Sequence, residues 1–161
     1  MITWDRRPIE VASLLNPAFC GETIRRCVEE YQQVGSQPFP FPLVYLILPI
    51  VLHKKTRATI ASQRQLHVWL QSHEDVKIGF ADRARQLLPI TKEAMIFLLQ
   101  VGAIELDEQA GLSVVSYRRR VPQSQQEGEI SDCYRSAVVI GRWFARVGNV
   151  PTIYALWGVR P

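Results

Sequence analysis

The ten-residue apolar run LVYLILPIVL at 43–52 constrains the fold more than any other feature of this chain. A bilayer span needs about 20 residues, so the run cannot cross a membrane and must lie in a core that the other segments cover. Over so short a stretch, periodicity does not separate a buried helix from a buried strand. Pro49 argues against a central strand because it cannot donate to a ladder. The expectation is a buried helix that ends or kinks near Pro49. The chain has 161 residues, 47% of them hydrophobic and 21% charged. A chain of that size buries roughly 70% of its unfolded surface, which predicts a single domain over 1–161 without disulfide or metal staples.

Helical and strand signals follow one another along the chain. Asn16-Pro17 is a cap followed by a favoured first helical residue. Cys20, Ile24, Cys27, Tyr31 and Val34 then recur at helical spacing up to Gly35, with Arg25, Arg26, Glu29 and Glu30 on the opposite face. The segment 36–42 (SQPFPFP) is a Pro-rich loop, and His53-Lys54-Lys55-Thr56-Arg57 is a basic exit from the apolar run. Helices are expected at 63–72, burying Leu66, Trp69 and Leu70, and at 80–88, burying Phe80, Ala84, Leu87 and Leu88. Pro89 stops the latter. A third helix at 92–101 buries Met95, Leu98 and Leu99. Alternation at 103–107 and 112–116 predicts a β-hairpin. Three short helices followed by a hairpin is the order of a winged helix, so 62–116 is expected to form a winged-helix-like core with a β-hairpin wing. The polar segment 118–129 is an exposed loop, and 131–161 is a C-terminal helical segment. The fold class is mainly α (α+β), a winged-helix-like core with N- and C-terminal helices.

Motifs of catalysis and cofactor binding are missing. There is no G-x-x-x-x-G-K-[ST] loop and no G-x-G-x-x-G after a strand. Cys20, Cys27 and Cys133 are too few and too scattered for a disulfide framework. Cys20 and Cys27 sit on one helical face and read as small core residues. His53, His67 and His73 show no metal-ligand spacing. A nucleophilic pair such as Cys133 with His67 is formally available, but cysteines on apolar helix faces usually pack. No enzymatic activity, cofactor, metal or small-molecule substrate is expected. The N-terminus MITWDRRPIE lacks the apolar segment of a signal peptide, so a cytoplasmic protein without membrane contact is predicted.

Surfaces therefore carry the functional reading. The formal net charge is +4, built from fifteen Arg and only four Lys. Arg offers a planar fork for carboxylates and phosphates, although a GC-rich genome gives the same bias. Arg83, Arg85, Lys92 and Arg118, Arg119 and Arg120 are candidates to reach a duplex backbone. The helix TKEAMIFLLQ carries few base-reading side chains, which favours protein contacts instead. After Asp132 no acidic residue occurs, while Arg135, Arg142, Arg146 and Arg160 do. Arg135, Arg142 and Arg146 are spaced seven and four apart and share a helix face. With Trp143 and Trp157 they form the candidate partner-binding set, since Arg and Trp are over-represented in binding hot spots. The alternative is a solvated basic face over a tryptophan-filled core.

The stretches NPAFCGETIRRCVEEYQ, PFPLVYLILPIVLHKKTR, IGFADRARQLLPITKEAMIFLLQVGAI and GRWFARVGNVPTIYALWGVRP resemble the middle component of bacterial three-component ABC systems. The resemblance covers nearly the whole chain apart from 118–129. It implies an SMC-like ABC ATPase and a separate effector as partners, with DNA reached directly or through the ATPase, and a role in defence against phage and plasmids. Lamassu-type systems are similarly organised. The matching residues Asn16, Pro17, Phe19, Gly21, His53, Lys54, Arg57, Phe80, Arg83, Arg142, Trp143, Phe144, Ala145, Arg146, Trp157, Gly158 and Arg160 are interface or fold residues. The resulting expectation is a non-enzymatic adaptor that couples the ATPase to the effector. Its rival is a winged-helix regulator that binds duplex DNA itself.

Overall fold

A computed structural model of the chain describes residues 15–60, 64–115 and 128–161. Helix α1 (Pro17–Gly35) starts as its sequence predicts: Asn16 Oδ1 accepts from the Ala18 N–H at 2.7 Å, and Pro17 takes the first helical position. A short strand β1 (Phe39–Pro40) and a 3₁₀ turn (Phe41–Leu43) lead into helix α2 (Val44–Val51). The apolar run is thus a helix, with every residue of α2 buried except Tyr45. Pro49 lies inside it, and the helix ends two residues later at Val51, near where the sequence placed its end. The missing N–H of Pro49 would have served the carbonyl of Tyr45, so the helix forgoes one hydrogen bond at its least buried position.

Helix α3 (Lys54–Thr59) follows at once, capped by His53, whose Nδ1 accepts from the Thr56 N–H and lies 2.6 Å from Thr56 Oγ1. Helix α4 (Leu66–Ser72) and a 3₁₀ turn (Glu74–Lys77) precede helix α5 (Phe80–Gln100). Here the structure corrects the sequence reading: the helices expected at 80–88 and 92–101 are one. Pro89 lies inside α5 on its exposed side, where the helix forgoes one hydrogen bond. The apolar face stays in phase across it, through Phe80, Ala94, Met95 and Leu98. Leu88 and Leu99, expected in the core, are exposed, as is Val34 in α1.

Strands β2 (Ile104–Leu106) and β3 (Gly111–Val114) form the predicted hairpin, with Ile104 opposite Val114 and Leu106 opposite Leu112. Asp107 Oδ1 accepts from the N–H groups of Gln109 and Gly111 and folds the turn. The sheet gains a third strand that the Pro-rich loop did not suggest. β1 pairs antiparallel with β3, Phe39 opposite Leu112, giving the order β1–β3–β2. Gly111 is required here, because a Cβ would fall 2.5 Å from Asp107 Oδ2 and 2.7 Å from Pro38 Cβ. Helix α6 (Gly128–Val147) begins four residues before the predicted start at Asp132, so Gly128 and Glu129 belong to it rather than to a loop. Helix α7 (Val150–Leu156) is capped by Asn149, whose side chain accepts from Thr152.

The core is one cluster reaching from Cys20 to Trp157. Helix α1 lies at its centre, packed on α6, on α5 and on α2. The contact with α6 is close: a Cβ on Gly141 would stand 2.3 Å from the Cys27 carbonyl oxygen. This is why the charged face of α1 is not a solvated one. Arg25, Arg26, Glu29 and Glu30 are all half-buried. Glu22 is itself buried and accepts from both Arg25 and Arg26, and Arg26 lies 4.3 Å from the centroid of the Tyr134 ring on α6. No described helix is long and apolar enough to cross a membrane.

Candidate partner interface

The two tryptophans of the partner-binding set are core residues. Trp143 and Trp157 are 0% and 1% exposed. They pack on Trp69 of α4 at centroid distances of 5.0 and 6.0 Å, and Trp157 stacks on Phe80 at 4.5 Å. Trp143 Nε1 donates to the Arg64 carbonyl at 2.5 Å and Trp69 Nε1 to that of Thr59 at 2.7 Å. The Trp157 indole nitrogen is buried without a hydrogen-bond partner among the described residues. A buried Trp serves packing, not recognition, and these three tie the C-terminal helices to α4 and the start of α5.

The arginines of the same set divide. Arg142 joins α6 to α1, donating from Nε and Nη2 to Glu30 Oε1 at 2.9 and 2.7 Å. It is a structural ion pair, with side chains 30% and 16% exposed. Arg135, Arg146 and Arg160 are exposed, but each lines a different depression. Arg135, paired with Asp132, borders a cleft of about 640 Å³ with Lys54, Arg57, Glu129 and Asp132. Arg57 is itself buried, donating to the Val51 carbonyl at 2.7 Å and to Glu129 at 2.5 Å. Arg146 borders a second cleft beside His67 and Thr152.

Arg160 borders a third, a groove of about 540 Å³ between α2, α5 and the segment after α7. Its floor is Tyr45, Ala81, Ala84 and Leu88, and its other cation is Arg85. The structure therefore brings Arg85 and Arg160 to one groove, although the sequence placed them in separate sets. Among the described residues no Asp or Glu side chain lines it.

The nucleic-acid candidates also separate. Arg83 donates to the carbonyls of Ile78 and Val76, both at 2.8 Å, and so finishes the 3₁₀ turn before α5. Burial holds its guanidinium below the ordinary arginine range. Arg85 and Lys92 are seven apart and share the outer face of α5. Arg85 pairs with Asp82 at 2.8 Å, both side chains 74% exposed. Arg118, Arg119 and Arg120 lie outside the described residues.

What the sequence reading missed on this face is apolar. Leu88, Ile96 and Leu99 are 36%, 47% and 42% exposed, and they alternate with the two cations along α5. The signal was present in the spacing 85, 88, 92, 96 and 99, but the break expected at Pro89 concealed it.

The three cysteines lie on α1 and α6. All three cysteines are free and buried. Burial, with Cys133 and Glu93 nearby, pushes the Cys20 thiol up to about 12, and burial also raises Cys27 and Cys133. His67, the formal partner of Cys133, is exposed on α4. Among the described residues no group of three His, Cys, Asp or Glu is placed to hold a metal ion.

The sequence model of one family, described as ABC-three component (ABC-3C) system Middle Component 3, matches residues 4–161. The chain belongs to that family. The match includes every element from α1 to α7, the Trp69–Trp143–Trp157 cluster and the outer face of α5. As a member of a multi-component system, the chain has partners. No curated protein and no solved structure matches the chain.

Proposed function

We propose that this middle component is a non-enzymatic adaptor that couples the SMC-like ABC ATPase of its system to a separate effector, in defence against phage and plasmids. The family match over 4–161 carries the reading, and the resemblance noted in the sequence supplies the ATPase and the effector. The surface agrees with it. Exposed Arg135, Arg146 and Arg160 are spread over three depressions rather than gathered around a reacting centre. Different arginine-bearing faces suit a protein that holds more than one partner.

The fold part of the proposal is a winged-helix-like core assembled from other segments than 62–116. It comprises α1, α2 and α5, with the β2–β3 hairpin as the wing. The sheet order β1–β3–β2 supports it, and α3 and α4 are then an insertion. This arrangement also underlies the second reading, direct binding of duplex DNA through Arg85 and Lys92 on α5. Arg83, already held by two carbonyls, is unsuited to phosphate contact.

Co-expression with the neighbouring genes, affinity capture and native mass spectrometry test both. The adaptor reading expects a stable assembly with the ATPase, weakened by Arg146→Glu. Arg142 is the wrong choice for this test, because a carboxylate there would meet Glu30 and disturb the α1–α6 contact. A chain that ignores its neighbours and shifts duplex DNA, with affinity falling steeply with salt, would replace the adaptor by the DNA-binding regulator.

A further inference from the structure

The outer face of α5 has a composition that neither solvent nor the fold accounts for. Arg85, Leu88, Lys92, Ile96 and Leu99 follow one another at steps of three, four, four and three residues, so they form one stripe along the helix. All five are exposed, and the three apolar ones are large. At its N-terminal end the stripe runs into the apolar groove whose rim adds Arg160. Among the described residues every charged side chain on the stripe and on the groove lining is basic.

We propose that this stripe and groove are the docking face for an acidic amphipathic helix of a protein partner. The occupant presents apolar side chains at three- and four-residue spacing to Leu88, Ile96 and Leu99, and carboxylates to Arg85, Lys92 and Arg160. This is the helix-in-groove mode of recognition, in which apolar anchors supply affinity and charges set register. Arg85 is available for it: an exposed ion pair such as Arg85–Asp82 contributes little and exchanges readily. Two other occupants fit worse. Lys92 is at the middle of the stripe, so antiparallel pairing with a second copy sets Lys92 against Lys92, and parallel pairing sets every cation against itself. A nucleic-acid backbone would use the cations but leave three large apolar side chains without a role.

The inference rests on the reading that the chain works by binding protein components, and the experiment separates the two. The full chain carries the photocrosslinker p-benzoylphenylalanine at Ile96 and is co-expressed with the neighbouring ATPase and effector. The expected product is a crosslink to a segment of one of them rich in Asp and Glu, with apolar residues three and four apart. Arg85→Glu with Lys92→Glu, both on exposed positions and checked for fold by circular dichroism, should weaken binding about tenfold or more. Reversing the facing carboxylates to Lys in the crosslinked segment should restore it. A crosslink only to a second copy of the chain or to DNA overturns the proposal, as does an assembly whose affinity ignores the double substitution. If the unaltered chain captures neither neighbour, the adaptor reading falls as well.

Discussion

Gly21 and Gly141 both lie inside helices at helix–helix contacts, yet the same substitution should move stability in opposite directions. In a helix interior, Gly→Ala gains about 1 kcal/mol from propensity alone. At Gly141 the new Cβ would fall 2.3 Å from the Cys27 carbonyl oxygen, 3.1 Å from its carbon and 3.2 Å from Glu30 Cβ. Contact distances for carbon are near 3.5 Å, so α6 must withdraw from α1 by roughly 1 Å. The obstacle is backbone, which no side-chain rotation relieves. Overpacking of this kind costs about 1–3 kcal/mol, and the Glu30–Arg142 bridge one residue away would lengthen with it. At Gly21 the nearest atoms are Leu98 Cδ2 and Cγ, each at 3.2 Å, and Phe97 Cδ1 at 3.4 Å. These belong to side chains and give by a few tenths of an ångström. Gly141→Ala should therefore lose up to about 2 kcal/mol, and Gly21→Ala should be neutral or slightly stabilising. Thermal unfolding resolves this, since 1 kcal/mol shifts Tm by about 2–4 °C in a chain of this size. A Gly141→Ala protein more stable than the parent by the full propensity gain of about 1 kcal/mol would refute the close approach of α1 and α6. Equal losses at the two sites would refute the distinction between backbone and side-chain obstacles.

Other expectations concern single polar groups. Trp143→Phe and Trp157→Phe remove similar volume, but only the first abolishes a hydrogen bond, to Arg64. The second deletes a buried N–H that has no partner among the described residues. Trp143→Phe should be the more destabilising by about 1–3 kcal/mol in urea titrations followed by circular dichroism; equal losses would count against the cluster geometry. His53 caps α3 as a neutral acceptor, and burial together with the cations Arg83, Lys55 and Arg57 lowers its pKa from 6.5. Its contribution is therefore present above pH 6.5 and is lost as pH falls through its folded value. His53→Asn should keep the cap, because Asn is a good N-cap, and should flatten the stability profile just below pH 6.5. An unchanged profile would mean that His53 does not carry it.

Local signals in the sequence located what local physics decides. The Asn16-Pro17 start, the amphipathic spacing of Cys20 to Tyr31, the burial of 43–52 and the β2–β3 hairpin all depend on residues within a few positions of one another. Pro89 was misleading because a proline inside a helix need cost only one hydrogen bond, as Pro49 does in α2 and Pro89 does on the exposed side of α5. Strand β1 consists of two residues in a Pro-rich stretch, and only its pairing with Leu112 and Gly111 makes it a strand. The candidate interface was legible in residue type but not in use. Arg83 and Arg142 looked like free cations, yet one serves carbonyls a few residues away and the other a glutamate on α1. The tryptophans' second reading, a packed core, is the one the structure supports. Conversely, Leu88 and Leu99 of the stripe on α5 were read as core because an apolar residue at helical spacing carries no label for which helix face meets protein.

The bonds that seal α6 and α7 onto the rest join residues far apart along the chain. Arg142–Glu30 and Tyr154–Pro42 each span 112 positions, and Trp143–Arg64 spans 79. Lengthening such loops costs little in equilibrium stability, about 0.6 kcal/mol per doubling. Its larger consequence is kinetic, because non-local contacts must wait for loop closure and slow the folding of a chain. Until α6 arrives, α1 exposes the face that carries Cys27 and Glu30, which α6 meets through Gly141 and Arg142. Newly synthesised chains thus pass through a stage in which the innermost helix of the fold is still open to water and to other proteins.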